Sequence, residues 1–197
     1  MNGSTVWAGR ARFLAVVTLV TVVLDQVTKF LAVKHLTHAF AGETSGTGMG
    51  ADIARFFTVT HPLSTEPYVI FESWWDFQYV ENPGAAWGLL SGVSESIRTP
   101  FFGVVSIVVL TLMLNYYFKS PPEYRLRQWA LALVVGGALG NIIDRVRMQY
   151  VIDFIHWHVN QAYHWPTFNV ADAAISVGLV FLLLESFIYP EKKKKSA

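Results

Sequence analysis

The chain has 197 residues, 53% of them hydrophobic, a mean hydropathy of +0.37 and no cysteine. That apolar balance excludes an ordinary soluble domain, and a formal net charge of only +1 removes the electrostatic basis for nucleic-acid binding. Without cysteine there is no disulfide, no thiolate metal site and no cysteine nucleophile.

A bilayer core about 30 Å thick takes roughly 20 apolar residues in helical form, so each long apolar run is a candidate span. The first runs from about Phe13 to Val33. Arg10 and Arg12 ahead of it and Ala39-Phe40-Ala41 behind it imitate a secretory signal with its cleavage site. The run is long for a signal peptide, and Asp25 and Lys29 interrupt its outer end, so a retained span is expected. Next, Gly42 to Gly50 is rich in Gly, Ser and Thr and reads as a flexible loop. The β-prone runs Phe56 to Thr60, Tyr68 to Phe71 and Phe77 to Val80 follow, crowded by Trp74, Trp75, Tyr79 and Trp87. A small sheet within about 55–95, lying on the membrane surface, is the expectation, since aromatic side chains favour the membrane–water interface.

The second span is expected from about Phe101 to Phe118, with Thr99 as its cap and Pro100 in its first turn. Pro121-Pro122 stops it and forces a tight connection to a third, about Trp129 to Val146. The fourth runs from about Val170 to Tyr189. Positive charge flanks the cytoplasmic ends of spans. Arg10 and Arg12, then Lys119, Arg125 and Arg127, then Lys192 to Lys195 all assign the same side. Both termini are then cytoplasmic, and 34–99 and 147–169 lie outside. The fold expected is all-α membrane: four transmembrane helices in one bundle, a small extracytoplasmic β-sheet and a short outer loop, making a single domain over 1–197.

Ionisable groups inside or beside spans are costly and therefore candidates for function. The third span ends in GGALGNIIDR, from Gly136 to Arg145; YVIDFI follows with Asp153, and FNVADAAI re-enters with Asn169 and Asp172. Asp153 and Asp172 thus fall on one side of the membrane at similar depth, where two carboxylates can meet. Such a pair shares a proton: one carboxylate accepts a proton from water while the protonated one hydrogen-bonds a scissile carbonyl. Asp172 falls in a helix first turn, which favours its charged form, so Asp172 is expected as the base and Asp153 as the proton carrier.

Five strings in order, DQVTK (Asp25 to Lys29), ENPGAAWG (Glu81 to Gly88), GGALGNIIDR, VIDFI and FNVADAA, resemble those of the lipoprotein signal peptidases, the type II signal peptidase family. The resemblance covers all the spans. It implies a metal-free membrane aspartic endopeptidase, without cofactor, that removes the signal peptide ahead of a diacylglyceryl-modified cysteine in prolipoproteins. It implies Asp153 and Asp172 as the catalytic pair. Asn82, Gly84, Asn141, Arg145 and Asn169 then contact substrate or line the site, and Asp25, Lys29, Asp144 and Ala171 support it. Lipid-modified prolipoproteins and membrane lipid are the partners implied, for a monomer in the bacterial inner membrane with its active site at the outer face. Trp87 departs from the family's usual Phe, and the segment before ENPGAAWG is longer than usual.

Plainer readings stand beside these. Asn169 and Asp172 have capping-box spacing, with Asp in place of Glu or Gln. Asp153 taken alone is a loop carboxylate, and Arg145 taken alone is an arginine reaching for the interface, although its position on the outer side opposes the charge preference. Asp25 and Lys29, four apart, suit a structural ion pair. Gly136 and Gly140 form a GxxxG pattern explained by close helix packing. Asp153, His156 and His158 imitate a metal-dependent hydrolase site, weakened by Trp157 between the histidines and by the lack of an HExxH helix. A non-catalytic transporter-like protein is the other rival. His61 and His164 read as ordinary loop or interface residues.

Overall fold

The computed structural model describes residues 3–41, 48–84, 93–160 and 162–188. It is mostly helical. In chain order come α1 (Gly3–Leu36), a single 3-10 turn (His38–Phe40), α2 (Met49–Thr58), β1 (Tyr68–Phe71), β2 (Trp75–Asn82), α3 (Glu95–Lys119), α4 (Arg125–Met148), β3 (Val151–Val159), β4 (Tyr163–His164) and α5 (Val170–Ile188). Among the described residues, four helices, α1, α3, α4 and α5, are long and apolar enough to cross a membrane.

These helices are apolar outside and carry their polar groups inside. Leu19 and Val20 on α1, Val104 and Ile107 on α3 and Leu183 on α5 are exposed, while Asp25, Lys29 and Asp144 are fully buried. Water would reverse that distribution; hydrocarbon favours it. α4 is the central helix, packed against α1, α3 and α5. Its small residues allow the approach. A Cβ at Gly136 would sit 2.7 Å from Thr21 Cβ, one at Gly140 would sit 2.5 Å from Asp25 Oδ2, and one at Gly137 would sit 2.4 Å from the Ala171 carbonyl oxygen. The GxxxG pair therefore seats α1, and Gly137 seats the first turn of α5.

Contacts near the helix ends define the helix directions. Phe13 of α1 meets Trp129 of α4 edge to face at 4.9 Å. The Tyr117 hydroxyl of α3 donates to the Arg10 carbonyl at 2.8 Å, and Arg127 of α4 pairs with Glu185 of α5 at 2.7 Å. The start of α1, the end of α3, the start of α4 and the end of α5 thus share one end of the molecule. The sheet lies at the other.

The described strands are all antiparallel, in the order β1-β2-β3-β4. β1 and β2 occupy the expected 55–95 region, but the other half of the sheet, β3 and β4, comes from the connection between α4 and α5. Gln149 adopts a left-handed cap (φ 68°) whose N–H bonds the Arg145 carbonyl, so α4 turns directly into β3. Between Phe77 and Val80 the β2–β3 register slips. Side chains alternate faces along a strand, and a bulge resets the alternation. As a result Asp76 contacts His156 while Asn82, of the same parity, contacts Asp153.

Two local expectations change. Phe56 to Thr58 close α2 instead of forming a strand: Phe56 is buried and meets Phe30 of α1 at 5.6 Å, with the Arg147 guanidinium 4.1 Å over its ring. Burial of Phe56 against α1 outweighs local β preference. α3 begins at Glu95 after Ser94, not at Phe101, so Pro100 lies in its second turn. Gly42 to Thr47, Ala85 to Gly88 with Trp87, Tyr189 and the Lys192 to Lys195 run lie outside the described residues.

Candidate active site

Asp153 comes from β3 and Asp172 from the first turn of α5, and the backbone brings the two elements together. The Phe168 carbonyl accepts from the Phe154 and Ile155 N–H groups at 3.1 and 2.8 Å, and the Phe168 N–H donates to the Ile155 carbonyl at 3.0 Å. The chain entering α5 is thereby pinned to the strand that bears Asp153. Asn169, fully buried, joins the two carboxylates. Its side-chain amide donates to Asp153 Oδ1 at 2.7 Å, and its backbone N–H donates to Asp172 Oδ2 at 3.3 Å. Its carbonyl Oδ1 accepts from the Asp172 N–H at 2.9 Å, which completes the capping-box geometry expected from the spacing and leaves Asp172 beside Asp153.

The remaining partners close the arrangement. Asn82 donates to Asp153 Oδ2 at 2.9 Å, and its own Oδ1 accepts from the Gly84 N–H at 2.9 Å. Gly84 has φ 112°, and a Cβ there would sit 2.3 Å from the Phe102 ring, so this turn requires glycine. Asn141 donates to Asp172 Oδ1 at 2.8 Å and accepts from Lys29 Nζ at 3.1 Å. Lys29 sits between Asp25 Oδ2 and Asp144 Oδ2, each at 2.8 Å, with all three side chains fully buried. Asp25 Oδ1 accepts from the Ala171 N–H at 3.0 Å, and Asp144 Oδ2 accepts from the Ile152 N–H at 3.2 Å. The ion triad therefore grips both α5 next to Asp172 and β3 next to Asp153. Sequence reasoning missed Gln26, which donates to Asp25, Asp144 and the Gly140 carbonyl. Its place inside DQVTK was the available signal.

Asp153, Asp172, Arg145, Asn82 and Gly84 line a cavity of about 780 Å³ whose other walls include Phe102, Trp165 and Val177. Burial, and then the neighbouring Asp172 charge, push the Asp153 carboxyl up to about 7, against the Asn82 and Asn169 hydrogen bonds that favour its ionised form. His156 and His158 do not join Asp153; they face Asp76, with His156 Nδ1 2.9 Å and His158 Nε2 3.2 Å from its oxygens. The imagined metal-hydrolase trio is thus split between two places on the sheet.

A sequence model described as "Signal peptidase (SPase) II" matches residues 17–188. The chain belongs to this family. Lipoprotein signal peptidase from Anaeromyxobacter sp. (strain Fw109-5) is 46% identical over 175 residues, covering 87% of this chain and 82% of that protein. The lipoprotein signal peptidase of Bacillus pumilus (strain SAFR-032) is 32% identical and covers 93% of this chain and 98% of its own length. A bacterial membrane enzyme solved by the in meso method at 2.3 Å superposes with a TM-score of 0.65 at 25% identity, covering 93% of each chain. The family match and the structural superposition each extend over nearly all of this chain, and strands β1 to β4 fall within the length matched to the family.

Proposed function

We propose that this chain is a membrane aspartic endopeptidase that removes signal peptides from diacylglyceryl-modified prolipoproteins, with Asp153 and Asp172 as its catalytic pair. Family membership and the names of its relatives support the substrate class. The observation that carries the chemistry is one residue, Asn169, hydrogen-bonded to both carboxylates at the wall of one cavity.

Asp172 accepts two hydrogen bonds within a helix first turn and works as the base. Asp153, held proton-rich by burial, is the acid. A water oxygen attacks the scissile carbonyl carbon and gives its proton to Asp172. Asp153 passes its proton to the carbonyl oxygen, which makes a neutral tetrahedral gem-diol. As the C–N bond breaks, the proton on Asp172 goes to the departing nitrogen and one gem-diol hydroxyl proton returns to Asp153. Arg145 and Asn82 orient the peptide backbone at the cavity wall. The substrate's signal helix lies against the apolar faces of the spans.

In this reading residues 1–197 form one domain acting as a monomer in the inner membrane. The end that holds the Arg10–Tyr117 and Arg127–Glu185 contacts is cytoplasmic, and the sheet is extracytoplasmic. The test is to incubate the purified chain with a diacylglyceryl-modified prolipoprotein and with its unmodified precursor. Cleavage of the modified form alone is expected; cleavage of neither sinks the proposal.

A further inference from the structure

The sheet carries a second polar cluster, away from the scissile site and unused by the chemistry above. Strand register assembles it. Asp76 of β2 is the Cα partner of His156 on β3, and His158 two residues on is the Cα partner of His164 on β4. Directly opposed residues in antiparallel strands hold their side chains close together. The result is one carboxylate and three imidazoles on adjacent strands. Asp76, His156 and His158 are all buried. Asp76 Oδ1 lies 2.9 Å from His156 Nδ1, Asp76 Oδ2 lies 3.2 Å from His158 Nε2, and His164 Nδ1 lies 3.0 Å from His156 Nε2.

The geometry points to a divalent transition-metal site, of the kind that takes Zn²⁺, formed by Asp76, His156 and His158 with His164 beside them. One ligand atom from each of Asp76, His156 and His158 lies within 4.8 Å of the others. Tetrahedral Zn²⁺ with bonds near 2.0–2.1 Å needs ligand atoms roughly 3.4 Å apart, a small side-chain adjustment. Imidazole nitrogen with carboxylate oxygen and no thiolate is a Zn²⁺, Cu²⁺ or Ni²⁺ donor set, not one for Mg²⁺ or Ca²⁺. His158 Nδ1 is buried without a hydrogen-bond partner among the described residues, so the ring is held in the cluster by its Nε2, the nitrogen that faces Asp76. Access exists, since His156 and His164 line a cavity of about 580 Å³ with exposed Glu66 at its wall. A metal here ties β2 and β3 together near the bulge that separates this cluster from the Asn82–Asp153 contact. It acts as a clamp on the sheet and takes no part in peptide cleavage.

The experiment is calorimetric titration of Zn²⁺ into the tag-free, chelator-stripped full chain in detergent, repeated with Asp76→Asn and His156→Asn. Saturable one-to-one binding is expected, weakened at least about tenfold by each substitution, the scale on which altered metal environments lose affinity. Co²⁺ added to the unaltered chain gives a second reading that does not depend on the variants folding: absorption bands of a tetrahedral N/O site are expected. No saturable Zn²⁺ binding by the unaltered chain, or tight binding unchanged in both folded variants, overturns the inference and leaves a hydrogen-bonded cluster only. The outcome is independent of the peptidase reading, whose test is cleavage.

Discussion

At the scale of single residues, the site depends on how unequal two carboxylates are made. Asp153 is 1% exposed and its carboxyl is pushed up to about 7 by burial and then by the charge of Asp172. Its protonated form is the one proposed to engage the scissile carbonyl. Activity is therefore expected to fall as pH rises through and beyond about 7, where the pair loses its shared proton, and to fall again in acid when both carboxyls are protonated. A profile of kcat/KM against pH checks this, and a plateau extending unchanged from pH near 6 to 9 speaks against it. Lys29 acts at one remove. It bridges Asp25 and Asp144 in a fully buried triad, and replacing it breaks both buried pairs, where loss of the partner in one such pair costs about 3–5 kcal/mol because a charge is left uncompensated. The expected Asp25–Lys29 pair is present, and the sequence also contained its third member, Asp144. What it did not show is that this triad accepts backbone N–H groups from Ala171 and Ile152, because those contacts require α5 and β3 to be already in place.

At the scale of elements, helices were the legible part. Lipid-facing apolar runs identify spans by length, so α1, α3, α4 and α5 could be located, although polar or low-propensity ends hid their true starts: α1 reaches back to Gly3 and α3 to Glu95. The strands were harder. Tyr68–Phe71 is a strand as expected, but β3 is buried along most of its length and lacks a clean alternation, so Val151–Val159 looked like an outer connection. The register slip in β2 was also invisible, and it decides which side chains meet Asp153. Packing between α4 and α5 has its own test. A Cβ at Gly137 would strike the Ala171 carbonyl oxygen at 2.4 Å, whereas one at Gly103 meets nothing within 4 Å. Gly137→Ala is expected to lower stability by about 1–3 kcal/mol, the usual range for overpacking, and to cut activity by displacing Asp172; Gly103→Ala is expected to leave both unchanged. Thermal unfolding and cleavage assays on the two variants check it.

At the scale of the whole molecule, the helix directions place the sheet, the cavity and both candidate carboxylates at one end, with Arg10 and Arg127 at the other. Positive charge on that far end supports a cytoplasmic side there. Because the native chain has no cysteine, a single introduced thiol reports its side unambiguously. In intact cells, Glu66→Cys is expected to react with a membrane-impermeant reagent and Glu123→Cys to stay protected until the membrane is opened; the reverse pattern would invert the topology. The central claim, that Asp153 and Asp172 act as one proton-sharing pair, is tested most directly by Asp153→Asn and Asp172→Asn in the purified chain. With thermal unfolding confirming an intact fold, each is expected to lower the rate of lipidated prolipoprotein cleavage by at least about 10²–10⁴-fold, the span of general acid–base contributions. A folded variant of either kind that cleaves at a rate close to the parent's contradicts the account.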